Sequence, residues 1–283
     1  MILSNAKVLS HERLAGDYFF LRLEARGIAE KAAAGQFVHL RVPALEPSAL
    51  RRPFSICGAD NGVLSILYKQ VGRGTAAMEG LRRGDTVSLI GPLGNAFPMP
   101  RAGEFPVFVA GGFGVAPLLF LARSIAGISA AERQDAPRGM LFVGGRSAAD
   151  VLLVDEFKRA GVETAICTND GSQGTKGFVT AALDKWADDG FPRHWNPAGG
   201  AAMNAGAAAR KPVFYCCGPE PLLQAVDDRA EARGLDAWLS LDRRMGCAVG
   251  ACLGCMVALK DPQAGTARVC KDGPIFKNGV VAW

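Results

Sequence analysis

The sequence predicts a multidomain protein that joins an all-β part to an α/β part. An N-terminal antiparallel β-barrel is expected over residues 1–98, a parallel α/β domain over 99–236 and a small cysteine-rich domain over 237–283. Three observations lead there. The first hundred residues carry closely spaced segments rich in β-branched and aromatic residues, each bounded by turn formers. From Phe105 onward strand-like and helix-like segments alternate, the pattern of a parallel sheet with crossovers. Near the C-terminus Cys247, Cys252, Cys255 and Cys270 offer four thiols to one centre.

In the barrel region the chain begins like a strand over Met1–Val8, and Asp17–Glu24, Gln36–Val42, Val63–Lys69 and Thr86–Ile90 read as half-buried strands. Within it lies Leu50-Arg51-Arg52-Pro53-Phe54-Ser55-Ile56. Arg52 presents a planar fork that suits a diphosphate, Pro53 stiffens the strand and Ser55 adds a hydroxyl one step beyond Phe54. The competing reading is an ordinary strand with a surface Arg pair. Val71-Gly72-Arg73-Gly74-Thr75 precedes a helical stretch expected over Ala76–Leu81 with Thr75 as its N-cap, where glycines would let a phosphate approach N–H groups. Gly91–Pro98 reads as the linker that ends the domain.

The α/β region is expected to place strands at Pro106–Ala110, Met140–Val143, Val162–Cys167 and Val213–Cys217. Its helices are expected at Val115–Ala126, Asp150–Ala160 and Phe178–Trp186 and from Pro219. Ligands of such sheets bind at the carboxyl ends of strands. Two segments fall there. Gly111-Gly112-Phe113-Gly114-Val115-Ala116-Pro117 is a glycine loop that opens a helix and can carry a pyrophosphate, although it is not the GxGxxG fingerprint. Tyr215-Cys216-Cys217-Gly218-Pro219 ends a late strand, and Cys217 is either a ligand-facing thiol or a small buried hydrophobe. Asn196–Lys211, rich in Ala and Gly, reads as a dispensable insertion.

The first three clustered cysteines are separated by four and then two residues and the fourth follows after fourteen, the spacing of a plant-type [2Fe–2S] loop. Gly246, Gly250 and Gly254 let the backbone wrap closely and aim N–H groups at sulfur. Structural zinc is the main competitor, and it usually uses two short Cys pairs with some His, whereas here there is one short pair and no His nearby. A disulfide framework is disfavoured. The chain holds eight cysteines with no signal peptide in the sequence, so a reducing cytoplasm is expected. A net charge of +5 without a Lys/Arg run gives no sign of nucleic-acid or membrane-surface binding. The charge-free run Phe105–Ala122 reaches membrane-span length, but its glycines and prolines divide it into strand, loop and helix.

Taken in this order, the segments resemble the ferredoxin-reductase-like family, and within it the electron-transfer subunit of bacterial, NAD-linked, two-subunit dihydroorotate dehydrogenases. The resemblance implies that Arg52, Pro53, Phe54 and Ser55 hold FAD, with Gly72, Gly74 and Thr75 on its phosphates. It implies that Gly111, Gly112, Gly114 and Pro117 bind NAD, with Cys217, Gly218 and Pro219 beside the nicotinamide, and that Thr168–Ser172 lies on the nucleotide side. Cys247, Cys252, Cys255 and Cys270, followed by Lys271-Asp272-Gly273-Pro274-Ile275-Phe276, match the [2Fe–2S] layout of this subunit in particular. The implied partner is a catalytic, FMN-containing dihydroorotate dehydrogenase subunit in a heterotetramer of two plus two, with no side chain here acting as acid or base. A related subunit serving a hydrogenase or a ferredoxin, and a non-redox zinc module, are the alternatives.

Overall fold

The computed structural model describes residues 1–41, 50–129, 138–189 and 210–283. The chain divides into two compact units, one made of Met1–Phe97, Ser240–Phe276 and Val280–Trp283, the other of Pro98–Leu239 and Lys277–Gly279.

In the first unit β1 (Ile2–Ala15), β2 (Tyr18–Glu24), β3 (Phe37–Arg41), β4 (Arg52–Asp60), β5 (Val63–Lys69) and β6 (Thr86–Leu93) close an antiparallel barrel in the order β1-β2-β5-β4-β3-β6. The expected barrel is therefore present. Alternation drives it: along β6, Val87 and Leu89 are fully buried while Thr86, Ser88 and Ile90 beside them are not. β3 is buried on both faces, which period-2 reasoning does not anticipate. Two short helices, α1 (Arg26–Ala29) and α2 (Arg73–Met78), lie in the connections.

The expected helix over Ala76–Leu81 begins three residues earlier, and its N-cap is Gly72, not Thr75. Gly72 is extended, so the helical turn starts right after it. Thr75 instead reaches back from the third helical position, its Oγ1 accepting the N–H groups of Val71 at 2.9 Å and Gly72 at 3.2 Å.

The second unit is built on β7 (Glu104–Gly111), β8 (Gly139–Gly145), β9 (Val162–Thr168), β10 (Thr175–Lys176), β11 (Lys211–Cys217) and β12 (Asp236–Ser240), in the order β10-β9-β8-β7-β11-β12. From β10 to β11 the neighbours are parallel. Helices α3 (Val115–Ser129), α4 (Val154–Arg159), α5 (Val179–Asp188) and α6 (Glu220–Ala232) supply the crossovers. β7 is central and buried from Phe105 to Ala110, so it reads as a continuous apolar run. That run and α3 account for the charge-free stretch, and among the described residues no helix is long and apolar enough to cross a membrane.

The helix expected from Asp150 to Ala160 is broken. A 3-10 turn at Ala148–Asp150 is separated from α4 by Val151, Leu152 and Leu153, the last with a left-handed φ of 56°. The Asp150 carboxylate reaches back to accept the Arg146 N–H at 3.1 Å, and burial of Leu152 pins the break. The insertion expected at 196–211 lies outside the described residues apart from Arg210 and Lys211, where β11 begins. Lys277–Gly279 return to this unit, Lys277 pairing with Asp236 at 2.8 Å and the Gly279 N–H donating to buried Asp227 at 2.7 Å.

The cysteine-rich stretch folds within the first unit as loops with little regular structure. β13 (Met256–Ala258) and β14 (Thr266–Arg268) form a hairpin, and β15 (Ile275–Lys277) follows it.

Candidate cofactor-binding sites

In the barrel the two predicted phosphate-side segments meet. A Cβ on Gly74 would lie 2.8 Å from Arg52 Nε, so the guanidinium rests directly on that glycine, while a Cβ on Gly72 would meet nothing within 4 Å. Glycine at both positions leaves a cradle next to an arginine fork, which fits a dinucleotide phosphate. The Arg pair also divides its labour. Arg51 is bonded across the barrel to Ser88, through its carbonyl at 2.8 Å and its hydroxyl at 2.9 Å. Arg52 reaches Gly74 and the carbonyl of Leu50. Phe54 stands edge-on to buried Tyr68 at 5.7 Å, and Tyr68 in turn hydrogen-bonds His11 at 2.8 Å. Pro53 and Ser55 occupy β4 opposite His39 and Phe37 of β3.

In the α/β unit, β7 and β11 are parallel neighbours with Ala110 opposite Cys217, so the glycine loop and the Cys-Gly-Pro segment leave the sheet side by side. Their backbones are in tight contact. A Cβ on Gly114 would sit 2.1 Å from the Cys217 carbonyl oxygen, one on Gly111 2.8 Å from Pro219 Cδ, and one on Gly218 3.0 Å from the Gly111 nitrogen. Gly112 adopts φ 53°, in the left-handed region, and starts the 3-10 turn that leads into α3 with Pro117 in its first turn. The arrangement lies at the carboxyl ends of the central strands, where nucleotides bind in open α/β sheets. One strand over, Thr168–Ser172 docks onto the end of β8. Asn169 donates to the Gly145 carbonyl at 3.0 Å, and the Ser172 hydroxyl accepts the Ala148 N–H at 2.8 Å. The Ser172 hydroxyl and N–H also bind Asp170, holding that carboxyl below its ordinary range.

The four cysteines stand in two pairs, Cys247 with Cys252 and Cys255 with Cys270. Cys247 Sγ accepts N–H groups from Val249 at 3.5 Å, Ala251 at 3.3 Å and Cys252 at 3.3 Å. Those donors, Val249 first, lower its pKa to about 6. Cys255 Sγ accepts the Cys270 N–H at 3.4 Å, while burial and the neighbouring Cys255 push the Cys270 thiol up. Left-handed backbone at Ala248, Gly250 and Leu253 bends the loop so that its amides face inward. Among the described residues, no three His, Cys, Asp or Glu side chains converge as a single metal ion requires. Two thiol pairs with N–H donors on sulfur suit instead a two-iron cluster, which takes two thiolates on each iron. Cys252 is exposed and Cys255 and Cys270 are buried, so one end of the loop faces outward beside exposed Leu253 and Val249.

What anchors this loop has no signal in the sequence. Asn95, read there as linker, donates to the carbonyls of Asp272 at 3.2 Å and Ile275 at 2.8 Å and accepts the Ile275 N–H at 2.9 Å. Its neighbour Gly94 lies under Pro274, where a Cβ would come within 2.5 Å of the ring. Arg268 and Asp272 lock the segment after the hairpin through contacts at 3.0 Å from both Nε and Nη2.

Comparison with known proteins agrees with this geometry. Residues 242–282 match the family described as the iron–sulfur cluster binding domain of dihydroorotate dehydrogenase B. The chain is 36% identical over 281 residues to the electron transfer subunit of dihydroorotate dehydrogenase B (NAD(+)) of Bacillus caldolyticus, covering 97% of this chain and 96% of that one. This chain belongs to that family of electron transfer subunits. The like-named subunit of Desulforamulus reducens is 32% identical, over 99% of this chain and 98% of that one. Among solved structures, an NADH-dependent reduced ferredoxin–NADP oxidoreductase studied for flavin-based electron bifurcation superposes with a TM-score of 0.78 at 25% identity, covering 98% of this chain and 90% of that one. The resemblance read from the motifs thus extends over the whole chain, and the ferredoxin-reductase-like fold with it.

Proposed function

We propose that this chain carries electrons from a partner subunit's flavin to NAD+ during oxidation of dihydroorotate to orotate. The observation that carries the reading is the pairing of the cluster thiols in a chain akin from end to end to subunits so named. When bound, FAD exchanges a hydride with the nicotinamide and single electrons with the [2Fe–2S] cluster.

The chain's own residues bind and orient. Arg52, Pro53, Phe54 and Ser55 hold the flavin, Arg52 offering its guanidinium to the diphosphate beside Gly72, Gly74 and Thr75. Gly111, Gly112, Gly114 and Pro117 take the NAD pyrophosphate, and Cys217, Gly218 and Pro219 stand against the nicotinamide. Cys247, Cys252, Cys255 and Cys270 ligate the cluster, and no side chain moves a proton in the hydride step. Residues 1–98, 99–236 and 237–283 serve as the flavin, nucleotide and cluster domains. The partner is an FMN-containing catalytic subunit in a cytoplasmic assembly of two plus two.

The purified chain is expected to be brown, with flavin bands and stoichiometric iron, and to reduce dyes with NADH without oxidising dihydroorotate. A colourless, zinc-bound chain, or dihydroorotate turnover by this chain alone, would overturn the proposal. Arg52→Ala is expected to weaken FAD binding roughly 10- to 100-fold, the worth of a charge-assisted contact. Flavin fluorescence after dilution measures it, and unchanged retention would remove Arg52 from the flavin site.

A further inference from the structure

Arg268 ends β14, where it pairs with Met256, the residue after Cys255, and it stands two positions before Cys270. A guanidinium holds its N–H donors in one rigid plane, so their partners can be followed nitrogen by nitrogen. Nε and Nη2 each donate to the Asp272 carboxylate at 3.0 Å, and the backbone N–H of Arg268 reaches the same carboxylate at 2.8 Å. The remaining nitrogen, Nη1, donates to the carbonyl of Gly250 at 3.4 Å, inside the loop between Cys247 and Cys252. Glycine makes room for it there. An added Cβ would lie 3.3 Å from Nη1, and the backbone is left-handed at φ 83°.

That carbonyl is half of a group that touches a ligand sulfur. The Gly250 carbonyl and the Ala251 N–H belong to one planar peptide, and the Ala251 N–H donates to Cys247 Sγ at 3.3 Å. Fixing the oxygen end of a rigid plane fixes where its N–H points. A cation on the oxygen also draws electron density through the amide, which makes the N–H a stronger donor. The Arg268–Asp272 pair is 37% and 40% exposed at its two side chains, and an ion pair so open to solvent adds little stability. Its effect falls on the sulfur instead.

We infer that Arg268 is a positioning residue, which through the Gly250–Ala251 peptide sets how readily the centre held by Cys247, Cys252, Cys255 and Cys270 accepts an electron. The inference rests on the cluster assignment above. One added electron brings one added negative charge to the sulfurs, and donors aimed at sulfur stabilise that charge and raise the potential. Asp272 steadies the guanidinium, and its own carbonyl accepts from Asn95 at 3.2 Å, so the device is tied to the chain just beyond β6.

The test uses the full chain purified with its cofactors, in a redox titration followed by the paramagnetic resonance of the reduced cluster. Arg268→Gln is expected to melt near the parent, to keep flavin and iron, and to lower the cluster midpoint, with uptake of the electron roughly tenfold less favourable, about 59 mV. Arg268→Lys keeps the charge but has one nitrogen for two partners, and it is expected to lower the midpoint as well. Lys271→Gln is the control for charge alone. It removes an exposed cation next to Cys270, leaves the Arg268–Gly250 contact in place and should keep a midpoint near the parent's. A midpoint at the parent's value in either Arg268 variant, or a Lys271→Gln shift as large as theirs, overturns the inference. Should Arg268→Gln lose its iron, Arg268→Lys against Lys271→Gln decides in the same way. An iron-free parent chain overturns both this inference and the reading beneath it, whereas an iron-loaded parent beside unmoved variants overturns this inference alone.

Discussion

A Cys255→Ser chain is expected to lose turnover with its partner subunit by at least about 100-fold while keeping FAD and NADH-dependent dye reduction. The estimate is a lower bound, since that factor describes loss of groups behind a ligand and Cys255 is assigned as a ligand itself. Serine nearly matches cysteine in shape, so the fold should tolerate it. Cys255 is buried, its Sγ accepts the Cys270 N–H, and its carbonyl accepts the Val269 N–H at 3.1 Å, a backbone contact that serine preserves. What changes is the ligand: a hard hydroxyl replaces a soft sulfur. Iron analysis, the visible spectrum and paired assays with dye and with partner read out the result. Parallel loss of both activities would mean that the loop supports the fold more than the electron path.

Gly114→Ala is expected to destabilise the α/β unit by about 3 kcal/mol or more and to raise the KM for NADH with little change in bound flavin. The added methyl would lie 2.1 Å from the Cys217 carbonyl oxygen, 2.5 Å from its carbon and 2.9 Å from the Gly218 nitrogen. All of these are backbone atoms, which cannot rotate aside as a side chain does. Either the end of β11 or the start of α3 must move, and both belong to the proposed nucleotide site. Thermal melting together with steady-state NADH–dye kinetics separates the effects. A variant with the parent's KM and melting temperature would show that the two segments can part without consequence. Gly127, whose added Cβ would meet nothing within 4 Å, is the natural control.

How much of this was legible beforehand depended on the range over which each feature is determined. Val63–Lys69 is read from sequence to the residue because alternation and flanking turns are local properties. The glycine loop and Cys-Gly-Pro are visible as separate motifs, but their contact comes from strand order, which places β11 beside β7 although Glu104 and its partner Lys211 stand 107 positions apart in the chain. A hydroxyl after glycine has the composition of a cap, so the sequence points to Thr75, and only the extended Gly72 backbone shows where the helix starts. The break at Leu153 depends on burial of Leu152 and has no local signature. β13, β14 and β15 span three residues each, too few for any periodicity to register. The cysteine spacing was plain from the sequence, whereas the grip of Asn95 depends on residues far along the chain.

That grip has a bearing on how the protein is made. Asn95 bonds to Ile275 across 180 positions, and the unit that contains both is interrupted by Pro98–Leu239. As the chain leaves the ribosome the barrel strands and Asn95 emerge early, whereas Cys270 and the Asp272 and Ile275 that Asn95 holds emerge only after the whole of Pro98–Leu239. The set of four cysteines is therefore completed only after the barrel strands and the whole of Pro98–Leu239 have been synthesised.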